Sequence, residues 1–270
     1  MVATDYEGLG TAGVPPYLVG QSEGQGVLDA ARAARQLVGR AASNTVVVVG
    51  YSQGGQAALF AGQIGEVYAP ELYLAGIAAI APVTSLTQPA PAVPGPGTDP
   101  DAGFAVMALA SWSQVYRGPP LGSELTGTAV RDAAIVDSAC SGTVGARFDT
   151  TPSRQVFRPG WSAIPALRSE ITINQPGRAP TSAPLLVVQG TEDTVVPYSG
   201  TTGFVTGALC RGQHDTVEYE PVTGVGHAGM VATAAPTILQ WISSRVAGAT
   251  PPDSCAPDTG AVRRQGARRG

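Results

Sequence analysis

Four β-branched residues in a row, Val46 to Val49, run straight into Gly50-Tyr51-Ser52-Gln53-Gly54, and no other stretch constrains the fold as tightly. An unbroken valine run reads as a strand buried on both faces, the pattern of a parallel sheet. A helix-compatible segment begins at once after it, at Gln53. The junction matches G-x-S-x-G, which sets a serine on a sharp strand-to-helix turn above the end of a sheet. Glycine on either side leaves room for strand and helix to approach closely. The helix start offers unpaired backbone N–H groups to a developing negative charge, with the Gln53 N–H the nearest to Ser52.

The rest of the chain supplies the rhythm such a strand requires. Met1 to Tyr6 reads as a short strand and Glu7 to Gly20 as a loop. Ser22 and Gln25 have capping-box spacing ahead of a helix reaching about Arg40. Helix Gln53 to Tyr68 is ended by Pro70, and Tyr73 to Pro82 is a second apolar strand. Alternating strands and helices predict an α/β fold with a mostly parallel sheet flanked by helices. Residues 85–183 break the rhythm with a proline-rich loop and three expected helices, Asp101–Tyr116, Ser123–Ala139 and a short one near Ser162–Glu170. They read as a helical lid-like insertion between a first core segment, 1–84, and a second, 184–247. Phe104, Met107, Leu109 and Trp112 fit either plain core, the simpler reading, or the lining of a pocket. The sheet resumes at Leu185–Val188, followed by a helix over 200–209, a strand over 216–221 and a last helix from Met230 to Val246. Residues 248–270 form a tail ending in Arg263, Arg264, Arg268 and Arg269.

Chemistry is expected where these strands end. A serine hydroxyl is a weak nucleophile without an adjacent base, and the base needs an acid to hold its tautomer. Asp193 follows the third strand and His227 the fourth, so Ser52, Asp193 and His227 stand in the chain order expected for a serine on this turn. Glu192 adjoins Asp193, and spacing does not exclude it. His214, the other histidine, precedes its strand and belongs to the opposite end of the sheet. With three cysteines and two histidines lacking metal-ligand spacing, neither a metal nor a cofactor is expected. A net charge of −4, with all 16 basic residues arginine, suggests no nucleic-acid partner. No apolar run is long enough for a membrane span.

The stretches TDYEG, VLDAARA, GYSQGG, YAPEL, EDTVVPY and GHAG resemble the secretory lipase family of the α/β-hydrolase fold. That resemblance implies a serine hydrolase cleaving carboxylic esters, often of lipids, through an acyl-enzyme. The triad would be Ser52, Asp193 and His227, beneath a helical lid that meets the lipid interface transiently. It also implies secretion and a Cys210–Cys255 disulfide. Alternatives on the same fold are a peptidase, a polyester hydrolase or a catalytically weak scaffold. In the family, TDYEG lies on the fourth strand. The strand before it carries a second oxyanion donor and a cysteine that pairs with the counterpart of Cys140. The chain is therefore expected to be a piece of a longer secreted esterase. Val2 to Asp5 would keep its family place, an open groove would run beside Val46 to Val49, and Cys140 would be unpaired.

Overall fold

The computed structural model of the chain describes residues 1–86 and 94–256. Part of the proline-rich loop and the arginine-bearing end of the tail lie outside the described residues. Four strands, β1 (Thr45–Tyr51), β2 (Tyr73–Ile80), β3 (Leu185–Gly190) and β4 (Val217–Val222), form one parallel sheet in the order β1-β2-β3-β4. Helix α1 (Gly20–Val38) precedes β1, and α2 (Gln53–Tyr68) crosses from β1 to β2. Helices α3 (Ala102–Val115), α4 (Gly127–Asp132), α5 (Ser141–Phe148), α6 (Ser153–Val156) and α7 (Pro165–Ile173) lie between β2 and β3. Helix α8 (Tyr198–Phe204) continues as a π-helical segment, Val205–Gln213, into β4, and α9 (Met230–Val246) ends the fold.

Strand alternation splits the core into two layers. Ile77, Ala79, Leu185 and Val187 face α2 and α8, packing with Leu59, Phe204 and Leu209. Ala78, Ile80, Leu186 and Val188 face the other way, onto Met230, Ala234, Ile238 and Trp241 of α9. The insertion has a core of its own, built on Val106, Leu109, Trp112, Phe148 and Leu167, and it includes Leu18 and Val19 from the loop before α1. The three expected insertion helices become five, of which α3 is the longest at 14 residues, with 3₁₀ segments between some of them. The expected Ser123–Ala139 helix is the most divided, into α4 and the 3₁₀ segment Ala133–Asp137.

Three expectations are corrected. Val46–Val49 is not buried on both faces: β1 pairs with β2 along one side, and Val49 is 44% exposed. The strands with near-continuous burial are β2 and β3. Met1–Tyr6 forms no strand. Instead its Thr4 and Tyr6 side chains lie over Gly26 of α1, and the Tyr6 hydroxyl reaches Gly54 of α2. A strand is stable only where a neighbour takes up its backbone hydrogen bonds. Here the Tyr6 N–H goes to Thr4 Oγ1 at 3.0 Å, a local turn bond. Nor does Ser22 cap α1. The helix starts earlier, at Gly20, whose N–H is taken by Asn174 Oδ1 from α7's end at 3.1 Å, while Ser22 Oγ donates to Glu7 at 2.7 Å.

Cys210 of the π-helical segment and Cys255 form a disulfide, and Cys140 is free and exposed. The bridge ties the segment after α9 to the helix before β4. Ser254 N–H donates to the Val217 carbonyl at 2.6 Å alongside it.

Candidate active site

Ser52 stands at the tip of the β1–α2 turn with φ 56° and ψ −115°, a left-handed backbone that a side-chain-bearing residue holds only when its surroundings enforce it. Two glycines do the enforcing. A Cβ on Gly50 would fall 1.8 Å from the Gly54 carbonyl oxygen, and one on Gly55 would lie 2.8 Å from Pro82 Cα. Gly54, the second glycine of the motif, is less crowded: a Cβ there would meet only the Tyr6 hydroxyl, at 3.6 Å, an ordinary contact distance. Ser52 N–H bonds the Ile80 carbonyl at 2.9 Å, anchoring the turn to the end of β2. Gln53 is the first residue of α2, so its N–H belongs to the helix-start donors that have no carbonyl one turn back.

The structure brings Ser52, His227 and Asp193 together. His227 Nε2 lies 2.9 Å from Ser52 Oγ, and Nδ1 lies 2.7 Å from Asp193 Oδ2. His227 opens the 3₁₀ turn that leads into α9. Its ring lies 4.9 Å from that of Tyr51, centroid to centroid, and the Tyr51 hydroxyl holds its carbonyl at 3.0 Å. A Cβ on Gly190 would strike the Val225 carbonyl at 2.1 Å, so the glycine lets the histidine loop press against the end of β3.

Asp193 is buried, and its carboxylate is fully engaged. Oδ1 accepts the N–H groups of Val195 (3.0 Å) and Val196 (2.8 Å). Oδ2 accepts Gln189 Nε2 at 3.0 Å in addition to facing the histidine. A carboxylate with this many donors is fixed in direction. Glu192 is exposed, with its backbone N–H tied to Val225, which separates it from its neighbour. His214 is exposed on the other side of β4.

Sequence reading missed the groups that hold this constellation. Gln189, fully buried at the end of β3, also donates to the Val196 carbonyl (3.0 Å) and accepts from Thr201 Oγ1 (2.9 Å). Its signal was one amide in the apolar run LLVVQG. Asp101, ahead of α3, lies near the triad without holding it: burial and then the charges of Asp99 and Asp149 push its carboxyl up, opposed by the field of His227.

A cleft of about 490 Å³ opens at Ser52, between the sheet end and the insertion. Phe104, Leu109, Trp112 and Ile171 give it an apolar lining, and Asp99 and Asp101 a polar edge. The residues left open between core and pocket divide accordingly. Leu109 and Trp112 serve both, Phe104 projects into the cleft at 42% exposure, and Met107 packs on the insertion core.

A parallel sheet flanked by helices, with a serine elbow after one strand and a histidine loop after the last, defines an α/β-hydrolase fold. The chain belongs to the family described as Secretory lipase, whose model matches residues 1–254. It is 26% identical to Lipase 2 of Candida albicans over 96% of its own length and 58% of that protein's. It is 27% identical to Lipase A of Arthroderma benhamiae over 94% and 54%. The chain thus spans somewhat more than half the length of these curated relatives. Among solved structures, Candida antarctica lipase A in its closed state superposes with a TM-score of 0.74 at 18% identity, covering 87% of this chain and 56% of that one. The rice cell wall degrading esterase LipA from Xanthomonas oryzae superposes with a TM-score of 0.69 at 22% identity, covering 90% and 68%. At these identities the structural matches speak to the fold.

Proposed function

We propose that the chain carries the active site of a secreted carboxylic ester hydrolase of lipase or esterase type, acting through an acyl-enzyme. The observation that carries this reading is the pair of contacts on His227, 2.9 Å to Ser52 Oγ and 2.7 Å to Asp193 Oδ2. The carboxylate keeps a proton on Nδ1, leaving the Nε2 lone pair to accept the serine proton. Ser52 Oγ then bonds the ester carbonyl carbon, and the oxyanion forms beside the Gln53 N–H. Collapse breaks the bond to the alcohol oxygen, which leaves with the proton from Nε2. Water repeats the sequence on the acyl-enzyme, releasing acid and regenerating Ser52.

The cleft supports an ester with an apolar acyl part, and the insertion above it is the surface that would touch a lipid interface. Relatives named lipases support the same reaction class. The family description supports secretion, and no helix among the described residues is long and apolar enough to cross a membrane. A chromogenic ester series of increasing acyl length tests the reading. Turnover by the wild-type chain that Ser52→Ala lowers by roughly 10³-fold or more is expected. Absence of turnover across the series, or turnover that Ser52→Ala retains, would overturn it. Cleavage of peptides in preference to esters would assign the site to a peptidase.

A further inference from the structure

One buried carboxyl lies against the elbow and takes no part in the proton path. Glu23 of α1 is 2% exposed. Its Oε1 accepts two hydrogens, from the Leu18 N–H at 2.9 Å and from the Gln53 side-chain amide at 2.7 Å. Its Oε2 is buried without a hydrogen-bond partner. Gln53 is the residue after the nucleophile and the first of α2. Leu18, with φ 55°, forms with Tyr17 a wall of the cleft at Ser52. A leucine in the left-handed region is held there by its surroundings, and the Glu23 bond to its N–H is part of that hold. Gly24, next along α1, would place a Cβ 3.0 Å from the Ala61 backbone nitrogen, so α1 and α2 are in close register at this point.

We propose that Glu23 is a positioning residue for the reaction at Ser52. Through one carboxylate oxygen it fixes both the first turn of α2, which presents the oxyanion donor, and the Tyr17–Leu18 wall of the cleft. The inference rests on the reading of Ser52 as the nucleophile. As a carboxylate, Glu23 holds both donors with charge-assisted bonds; as a neutral acid it holds them less firmly. Burial pushes its carboxyl up to about 7, against the two hydrogen bonds that lower it. The titratable groups facing it are the phenols of Tyr6 and Tyr17, both pushed up by burial first and by the Glu23 charge second. The exchange between the firm and loose states therefore falls near neutral pH.

The test measures kcat and KM for a short chromogenic ester between about pH 5 and pH 9, in wild type, Glu23→Gln, Gln53→Met and the double variant. Each single variant should lower kcat roughly 10-fold, as displacement of a reacting group by a fraction of an ångström does, with little change in KM. The wild-type kcat profile should carry one ionisation that Glu23→Gln lacks. The double variant should be no slower than the slower single one, because both cut the same link. Unchanged kcat and an unchanged profile in Glu23→Gln, or losses that multiply in the double variant, would overturn the inference. If Glu23→Gln does not fold, Gln53→Met decides alone: a lowered kcat whose ionisation is weaker than in wild type sustains the inference, and a wild-type kcat and profile refute it. A wild-type chain that turns over no ester overturns the reading of Ser52 as well, which separates the two failures.

Discussion

Gln189 donates its side-chain amide to Asp193 Oδ2 at 3.0 Å, on the same oxygen that faces His227 Nδ1. The amide is itself held by the Val196 carbonyl and by Thr201 Oγ1. A chain of buried bonds thus runs from α8 through the end of β3 to the histidine. Gln189→Leu removes it at similar volume and should lower kcat/KM roughly 10- to 100-fold, the usual effect of losing an outer hydrogen bond to a functional group. A loss in thermal stability alone, with kcat/KM intact, would place Gln189 in the core and outside the site.

Asp193 and Glu192 differ by one residue and sharply by environment. Asp193→Asn should lower kcat about 10⁴-fold, because an amide lets the histidine adopt the wrong tautomer. Glu192→Gln, at an exposed position, should leave kcat within about twofold, as surface changes do. Steady-state kinetics on the two variants checks this, and the reverse pattern would exchange the assignments.

The Cys210–Cys255 bridge closes a separation of 45 residues. Loop-closure entropy gives it at most about 4 kcal/mol. Cys210→Ser with Cys255→Ser should lower Tm, and the loosened C-terminal segment should become the first point of protease cleavage. Thiol counting on denatured, unreduced protein should find one reactive group, Cys140; a count above one would show the bridge open.

Two buried carboxyls set a stability trend with pH. Glu23 and, in the insertion, Glu124 are both pushed up to about 7. Burial is the first cause for each, joined at Glu124 by the charge of Glu170. Their folded values lie above the ordinary 4.5, so the folded state holds these protons more tightly than the unfolded chain does. Their contribution is fully present below about 4.5 and is lost as pH rises through about 7. Melting curves should show Tm falling between about pH 5 and pH 8, and Glu124→Gln should flatten the fall. A Tm that rises across that range in wild type and variant alike would contradict the assignment.

Much of this was legible because the deciding forces are local. The valine run, glycine junction and helix-forming segment mark the turn that carries Ser52, and the Ile80 carbonyl of the next strand anchors it. Helices α2 and α9 fall where periodicity and Pro70 set their limits. The features that were not legible depend on distant partners. Helix α1 begins where Asn174, 154 residues away, takes the Gly20 N–H, so the local capping signal at Ser22 loses. Val2–Asp5 has strand-like residues but pairs with no strand; Thr4 lies over Gly26 of α1, and the rest is exposed. The insertion helices each contribute to one shared core around Trp112 and Phe148, a long-range packing that no local pattern signals. Gln189 and Glu23 gave only the faint sign of a polar side chain on an apolar face.

The contacts on His227 make one measurement decisive. A fluorophosphonate, which reacts with an activated serine and mimics the tetrahedral state, should label the intact chain once. Peptide mass spectrometry should place the adduct on Ser52. Labelling should be lost in His227→Ala and should persist in His214→Ala, which alters an exposed histidine away from the elbow. No adduct, an adduct on another serine, or equal labelling of wild type and His227→Ala would contradict the triad.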